Sequence, residues 1–265
     1  EEGETMGGGT KQAGPLGGGE PAVEPRGPEG LQAGSNAAQA LPPPVPDYKD
    51  TSDRRLYQFA GGKAQMLLCR TKEPKPDFSW TLKKIRKETG NPDQLGFTDV
   101  QFESETVSIP KAEDAGYFSG RAAMKTVAIR IPKELDVTDA QVKAAEARKD
   151  GAATKRLKAL QACRDHVVTH ELKHVEKDWD SLSEMTLGWQ TKLGSLTKDS
   201  TVTQKHIEDA VDEGAAKANP KMTATATKWD GDDLGPLRTR MRAEHIFVKS
   251  GEDATFDYVE PAGGG

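Results

Sequence analysis

Two histidines four residues apart, His170 and His174, enclose a glutamate, Glu171, in the segment His-Glu-Leu-Lys-His. On an α-helix, four residues advance about 400° around the axis and roughly 6 Å along it, so both imidazoles project from one face. At that separation one metal ion can bind both rings, while Glu171 lies beside the metal without binding it. These residues match the HExxH pattern of zinc peptidases.

This arrangement predicts zinc-dependent hydrolysis of peptide bonds. A Zn²⁺ ion held by His170, His174 and one further ligand keeps a fourth position for water and lowers the pKa of that water towards about 7. Glu171 would act as general base on that water and then as proton donor to the leaving amine. We therefore expect Zn²⁺ as cofactor, a peptide or protein as substrate, and Glu171 as the catalytic residue.

A helix is expected to carry the motif, because residues 154–187 contain no glycine or proline. Their apolar residues recur at helical spacing and fall within an arc of about 120° on a helical wheel. The motif lies on or beside that arc and should face the protein interior. Two buried histidines with separate hydrogen-bond partners are the alternative, but one metal site satisfies both imidazoles and the carboxylate together.

The third ligand must come from another part of the chain. Thr201 and Gln204 predict a capping box that opens a second helix after a turn at residues 194–200. A chain that returns antiparallel reaches the level of the metal near residues 222–232, where Asp230 is the preferred third ligand. Pro220 is expected to kink or interrupt this return. The other candidates for the third ligand are Asp233, Asp232, Asp180, His206 and His245.

The fold class indicated is α+β, with a small antiparallel or mixed sheet packed on the motif helix and its antiparallel partner, as in zincins. Short β-rich stretches between residues 55 and 131 predict about four to six strands. They are residues 56–60, 65–69, 78–82, 97–102, 106–109 and 126–131. The helical part should span 138–230, opened by a capping box of Thr138 and Gln141, and further strands are expected within 244–260.

Residues 1–47 differ in composition from the rest of the chain: they contain 11 Gly, 8 Pro and no aromatic residue. Such a segment cannot bury enough apolar surface to fold, so it predicts a disordered linker before a metallopeptidase domain at 48–260. Its seven acidic and two basic residues account for the whole net charge of −5. The domain is therefore electrically balanced, and no basic face for nucleic acid is indicated.

Hydropathy and cysteine usage add two expectations. No apolar run approaches the roughly 20 residues of a membrane span. Cys69 and Cys163 are the only cysteines and lack the C-x-x-C spacing of a zinc site, so burial as small apolar residues is expected. If the protein is exported, a single disulfide between Cys69 and Cys163 is the alternative.

The order of these elements resembles a family of predicted bacterial secreted zinc-dependent proteases. The residues that carry the resemblance are Ile131-Pro132, Thr169 with the HExxH motif, and Trp229-Asp230, within roughly residues 55–235. The resemblance implies a zincin-like domain that is secreted or exported. Trp229 stands where the family has a tyrosine, Asp233 where it has a threonine, and the family's terminal histidine is absent. These departures leave the third ligand open.

Two other functions are compatible with the same motif. One is a non-catalytic interaction module that a metal stabilises, and the other is a hydrolase of peptidoglycan crosslinks. Metal content does not separate the first of these from a peptidase, whereas turnover does.

We predict that removal of residues 1–47 leaves the melting temperature and metal binding of the protein unchanged, because that segment has no apolar periodicity with which to dock on the domain. Thermal unfolding of the full and shortened chains measures this. A fall of several degrees in the shortened chain would contradict it.

Overall fold

A mixed sheet of five strands is the larger of two sheets in the part of the chain that the computed structural model describes, residues 51–108, 117–249 and 254–261. All of these residues belong to one compact unit. The strands are β1 (Thr51–Phe59), β2 (Ala64–Thr71), β3 (Asp77–Trp80), β4 (Phe97–Ser108) and β5 (Phe118–Pro132). The predicted α+β class with a small sheet is confirmed.

The long strand β5 lies at the centre of this sheet. β4 pairs with it antiparallel along most of its length, from Phe97 opposite Arg130 to Ser108 opposite Phe118. On the other side, β2 and β3 pair in parallel with the first and last parts of β5, and β1 pairs antiparallel with β2. β4 is therefore an edge strand among the described strands.

Five α-helices, two short 3-10 helices (Ala60–Gly62 and Lys133–Leu135) and a short hairpin complete the described fold. The helices are α1 (Leu82–Thr89), α2 (Asp139–Ala147), α3 (Gly151–Ser181), α4 (Ser183–Leu193) and α5 (Gln204–Ala243). The hairpin of β6 (Ile246–Val248) and β7 (Phe256–Tyr258) lies in the region where C-terminal strands are predicted. None of the helices in the described ranges is long and apolar enough to cross a membrane.

The motif helix α3 begins and ends at identifiable signals. Asp150 caps its first turn by accepting a hydrogen bond from the backbone N–H of Ala153 at 2.9 Å. The preceding helix α2 opens with the predicted capping box of Thr138 and Gln141. Residues 154–187 do not form one helix, because α3 ends at Ser181 and α4 begins at Ser183. At this junction the Ser181 hydroxyl donates to the Lys177 carbonyl at 2.9 Å, a local bond that bends helices.

The partner helix α5 is longer and more regular than the sequence indicates. Its N-cap is Thr203 rather than Thr201, and the second member of the capping box is His206, whose Nδ1 accepts from the Thr203 N–H at 3.2 Å. The helix continues through Pro220, so the predicted interruption is wrong.

Burial explains why the prolines do not break α5. A proline inside a helix costs about 3 kcal/mol, but fully burying one large apolar side chain stabilises the fold by roughly 1.5 to 3 kcal/mol. Ile207, Leu237 and Met241 of α5 are all completely buried, so packing along the helix outweighs the local cost.

Three predictions in the β part need correction. Residues 78–82 combine β3 with the first residue of α1, a helix that the sequence interpretation missed. Its signals are Thr81, whose Oγ1 accepts from the Lys84 N–H at 3.1 Å, and Gly90, which ends the helix in a left-handed conformation. The predicted strands 97–102 and 106–109 are one strand, β4. Ile109 and the predicted linker 1–47 lie outside the described residues.

Two apolar clusters position α3. One packs Val175 and Trp179 of α3, and Leu182 at the junction with α4, against β2, α4 and α5. The other packs Leu160, Cys163 and Val167 with the end of β5 and with α5. The HExxH residues lie on α3 between these clusters, so the helix is anchored on both sides of the motif. Cys69 and Cys163 are both buried, as predicted, and no disulfide joins them. Burial raises the pKa of Cys163 to about 12.

We predict that Gly188→Ala destabilises the protein, because α4 and α5 meet at Gly188 and Gly214. A Cβ atom at residue 188 would lie 2.6 Å from the Cα of Gly214. Overpacking of this kind lowers the free energy of unfolding by about 1 to 3 kcal/mol. Gly151→Ala is the control, since nothing lies within 4 Å of its Cβ position. Chemical denaturation of both variants measures the difference, and equal stability would contradict the prediction.

Candidate metal centre

Three metal-binding side chains meet where α3 crosses α5. His174 Nε2 lies 3.0 Å and His170 Nε2 lies 3.3 Å from the same oxygen, Oδ1 of Asp230. One donor atom from each of the three side chains lies within 4.8 Å of the other two, and within the described ranges this is the one such group of His, Cys, Asp or Glu. The predicted return of the chain thus brings Asp230, the preferred third ligand, to both imidazoles.

Two of the separations between these donor atoms are close to those of a tetrahedral ion. Zinc binds imidazole nitrogen and carboxylate oxygen at about 2.0 to 2.2 Å, so two ligand atoms on a tetrahedron lie about 3.3 to 3.5 Å apart. The two separations from Asp230 Oδ1, 3.0 and 3.3 Å, are close to that value. Two imidazoles and one carboxylate are also the ligand types of catalytic zinc sites.

A second carboxylate fixes the orientation of His170. Asp233 Oδ2 lies 2.8 Å from His170 Nδ1, and the guanidinium of Arg240 donates to both oxygens of Asp233, at 2.9 Å to Oδ2. When Nδ1 carries the proton donated to Asp233, the lone pair of Nε2 is directed towards Asp230. Such a carboxylate partner holds the ring and raises its basicity towards a metal. Asp233 was predicted as an alternative to Asp230, but it contacts His170 Nδ1 and is not part of the group of His170, His174 and Asp230.

Trp229 holds the other side of the same imidazole. Its indole ring stacks on His170, with ring centroids 5.4 Å apart and planes inclined by 21°. The indole Nε1 donates to the His170 carbonyl at 3.3 Å, and the ammonium of Lys177 lies 4.9 Å from the indole centroid. His170 is consequently held by a ring stack and by Asp233 at once.

The charges of this group depend on one another. Burial alone would raise the pKa of Asp230, but hydrogen bonds with His170 and His174 lower it well below the usual range. Burial lowers the pKa of His170, whereas Asp230, Glu171 and Asp233 together raise it above its ordinary value. Without a metal, a proton on His170 thus offsets the charge of the surrounding carboxylates, and a metal ion would replace that proton.

Glu171 is the most buried acidic group of the site, with no exposed surface. Its Oε2 accepts a hydrogen bond from the Thr98 hydroxyl of β4 at 2.8 Å, and Oε1 has no partner in the described part of the chain. Burial raises the pKa of Glu171, and the charges of His174 and His170 oppose that rise. The carboxyl group is therefore poised to take up a proton.

Gly96, just before β4, leaves the space that Glu171 occupies. A Cβ atom at this position would lie 2.5 Å from Oε1 of Glu171. The absence of a side chain at residue 96 is thus a steric requirement of the Glu171 position.

The site opens into a cavity of about 750 Å³ between the start of β4, α3 and α5. Glu171, His174 and Asp230 line it, together with Asp178, one helical turn beyond His174. Asp178 is 7% exposed, and its Oδ1 has no hydrogen-bond partner among the described residues. Burial raises the pKa of this carboxyl group to about 6.

The remaining candidates for the third ligand lie elsewhere. Asp180 is exposed on α3, and Asp232 forms an exposed ion pair with Lys228. His206 belongs to the cap of α5, and the His245 ring contacts Tyr258 beside the hairpin. None of these four side chains contributes to the His170, His174 and Asp230 group.

The sequence interpretation missed three contributors to this site: Thr98, Gly96 and Asp178. Asp178 had a usable signal, because it follows His174 by the same four residues that separate the two histidines. Thr98 and Gly96 had none, since the pairing of β4 with β5 and the packing on α3 bring them to Glu171.

No family model matches the chain, and no curated protein or solved structure matches it either. The function is therefore inferred from the site.

We predict that Asp230→Ala lowers the affinity for Zn²⁺ by more than about a hundredfold, since partners outside the ligand sphere already contribute about ten- to a hundredfold. Asp233→Asn should lower it by about tenfold, because His170 loses its carboxylate partner. Asp232→Ala, exposed on the same helix, is the control with unchanged affinity. Competition with a chromogenic chelator ranks the three variants, and a larger effect for Asp232 than for Asp230 would exclude this ligand assignment.

Proposed function

We propose that the protein is a zinc-dependent metallopeptidase with a zincin-like arrangement of sheet, motif helix and partner helix. The observation that carries the proposal is the convergence of His170, His174 and Asp230 beside Glu171, which is buried. His170, His174 and Asp230 would bind the ion. When bound, Zn²⁺ would polarise the peptide carbonyl and lower the pKa of water at the site.

The chain's own residues supply the remaining requirements of peptide hydrolysis. Glu171 takes a proton from water on its unpartnered Oε1 and passes it to the leaving amine, while the Thr98 hydroxyl holds Oε2 in place. Asp233 keeps His170 in the tautomer that leaves Nε2 free for a metal. The apolar clusters beside the motif fix the helix backbone that carries His170, Glu171 and His174.

The cavity supports a peptide as the substrate class. It is large enough for several residues, and Asn91, Gln94 and Thr98 add polar side chains to its lining. The start of β4 lies at the same cavity, and among the described strands β4 pairs only with β5, so an extended peptide can pair with its other edge.

A non-catalytic module stabilised by metal is the main alternative, and the environment of Glu171 favours catalysis over it. A buried carboxylate oxygen without a partner lowers the stability of a fold. A buried carboxylate that lowers the stability of the fold is expected where a reaction requires it. It is not expected in a metal site that only stabilises the fold.

We predict that Glu171→Gln lowers kcat for peptide hydrolysis by at least about a thousandfold and leaves the zinc content unchanged, because Glu171 handles protons and is not a ligand. Glu176→Gln is the matched control, since Glu176 lies on the same helix but is exposed. A fluorogenic peptide library measures turnover, and elemental analysis measures zinc.

Two results would contradict this proposal. If Glu171→Gln cleaves peptides at the wild-type rate, Glu171 is not the general base. If neither the wild type nor Glu176→Gln cleaves any peptide although both hold one zinc per chain, the metal-stabilised module is the better description.

A further inference from the structure

The cavity beside the metal centre carries more negative charge than the metal centre needs. Its acidic side chains are Asp93, Glu171, Asp178 and Asp230, and its one basic side chain is Arg238. Arg238 donates to Asp93 at 2.6 Å, so this pair is balanced within the protein. A divalent ion would offset two negative charges, those of Glu171 and Asp230. The negative charge of Asp178 would then remain without an ion-pair partner.

Asp178 is buried without a compensating group. It is 7% exposed and lines the cavity, and no described residue forms a hydrogen bond with its Oδ1. Burial disfavours a carboxylate charge that has no partner. None of the basic side chains that the structure describes forms an ion pair with Asp178, although the charge of His174 acts on it. A cation from outside the chain would therefore stabilise the charged form of Asp178.

The position of Asp178 relative to the metal centre follows from the helix register. The contacts between His174 and Asp230, at 3.0 Å, and between Ser181 and Thr225, at 3.0 Å, lie on either side of it. Asp178 follows His174 by about 6 Å along α3. One residue of an extended peptide spans about 3.3 to 3.6 Å. A group bound at Asp178 thus lies within one or two residues of the bond next to Glu171.

A second metal ion is the less suitable cation. Within the described residues, the group of His170, His174 and Asp230 is the one set of three metal-binding side chains close enough to share an ion, and Asp178 is not part of it. A single carboxylate does not hold Zn²⁺, which takes about four ligands. An organic cation needs only the carboxylate and the polar cavity.

We propose that Asp178 binds a cationic group of the substrate, an ammonium or a guanidinium, next to the peptide bond that is cleaved. This inference rests on the proposed function, since it specifies the substrate class of the same site. Two parts of a peptide supply such a cationic group: its free amino terminus and the side chain of an internal lysine or arginine.

Matched alanine hexapeptide amides test the proposal and distinguish the two sources. One pair differs only in a free or acetylated amino terminus. The acetylated peptide is also prepared with lysine or norleucine at each position in turn. In one pair, we expect the wild type to cleave the cationic peptide with a kcat/KM about ten- to a hundredfold higher than that of its neutral counterpart. A hydrogen bond to a charged group stabilises a complex by an amount that corresponds to this ratio.

The variants are Asp178→Asn and, as the control, Asp180→Asn, which removes an exposed carboxylate two residues away on the same helix. Asp178→Asn should reduce the ratio of the two kcat/KM values to about one, and Asp180→Asn should leave the ratio unchanged. Asparagine has the size of aspartate and removes a buried charge, so the melting temperature of Asp178→Asn should not fall.

A binding measurement separates this inference from the proposed function. In the Glu171→Gln background, isothermal titration calorimetry compares the Kd of the same cationic and neutral peptides with and without Asp178→Asn. If no protein cleaves peptide but the binding preference disappears with Asp178→Asn, the proposed function fails and the cation site stands.

Two results overturn the cation site itself. One is a wild type with no preference, or a preference that Asp178→Asn leaves intact. The other is a wild type that binds two zinc ions per chain and loses one in Asp178→Asn, which would identify Asp178 as a metal ligand.

Discussion

Burial of ionisable groups between α3 and α5 is the constraint on which the rest of the structure depends. His170 and Glu171 have almost no exposed surface, and Asp233 is 9% exposed. Charges taken out of water are tolerated only when each has a partner. Here His170 pairs with Asp230 and Asp233, Asp233 with Arg240, and Thr98 with Glu171, so the removal of one group leaves another unpaired.

The positions of these paired groups depend on α5, which is one helix from Gln204 to Ala243. Asp230 and Asp233 lie one turn apart on α5, and His170 and His174 lie one turn apart on α3. Because α5 stays helical through Pro220, packing of its buried residues against α4 and the sheet determines the level at which Asp230 meets the histidines. The close approach of Gly188 and Gly214 sets the separation of α4 and α5. Packing at Gly188 and Gly214, far from the candidate metal centre, thus contributes to the position of α5.

The central features of the site could be predicted from the sequence because they follow from helical periodicity. The spacing of His170 and His174 defines one helix face, and counting residues along an antiparallel return brings residues 222–232, with Asp230 as the preferred ligand, to its level. Periodicity does not decide whether Pro220 breaks a helix, since tertiary packing does. It also does not reveal Thr98 or Gly96, which reach Glu171 only through strand pairing and packing. The resemblance to secreted zinc proteases, and with it export, stays a prediction, because no family model matches.

The central claim is that His170, His174 and Asp230 together bind one zinc ion. Crystals of the full chain grown with Zn²⁺ test it most directly, through an anomalous difference map measured at the zinc absorption edge. The account predicts one strong peak within about 2.0 to 2.2 Å of His170 Nε2, His174 Nε2 and an oxygen of Asp230. A map with no peak between these three side chains, or with zinc bound to the histidines while Asp230 faces solvent, would contradict it.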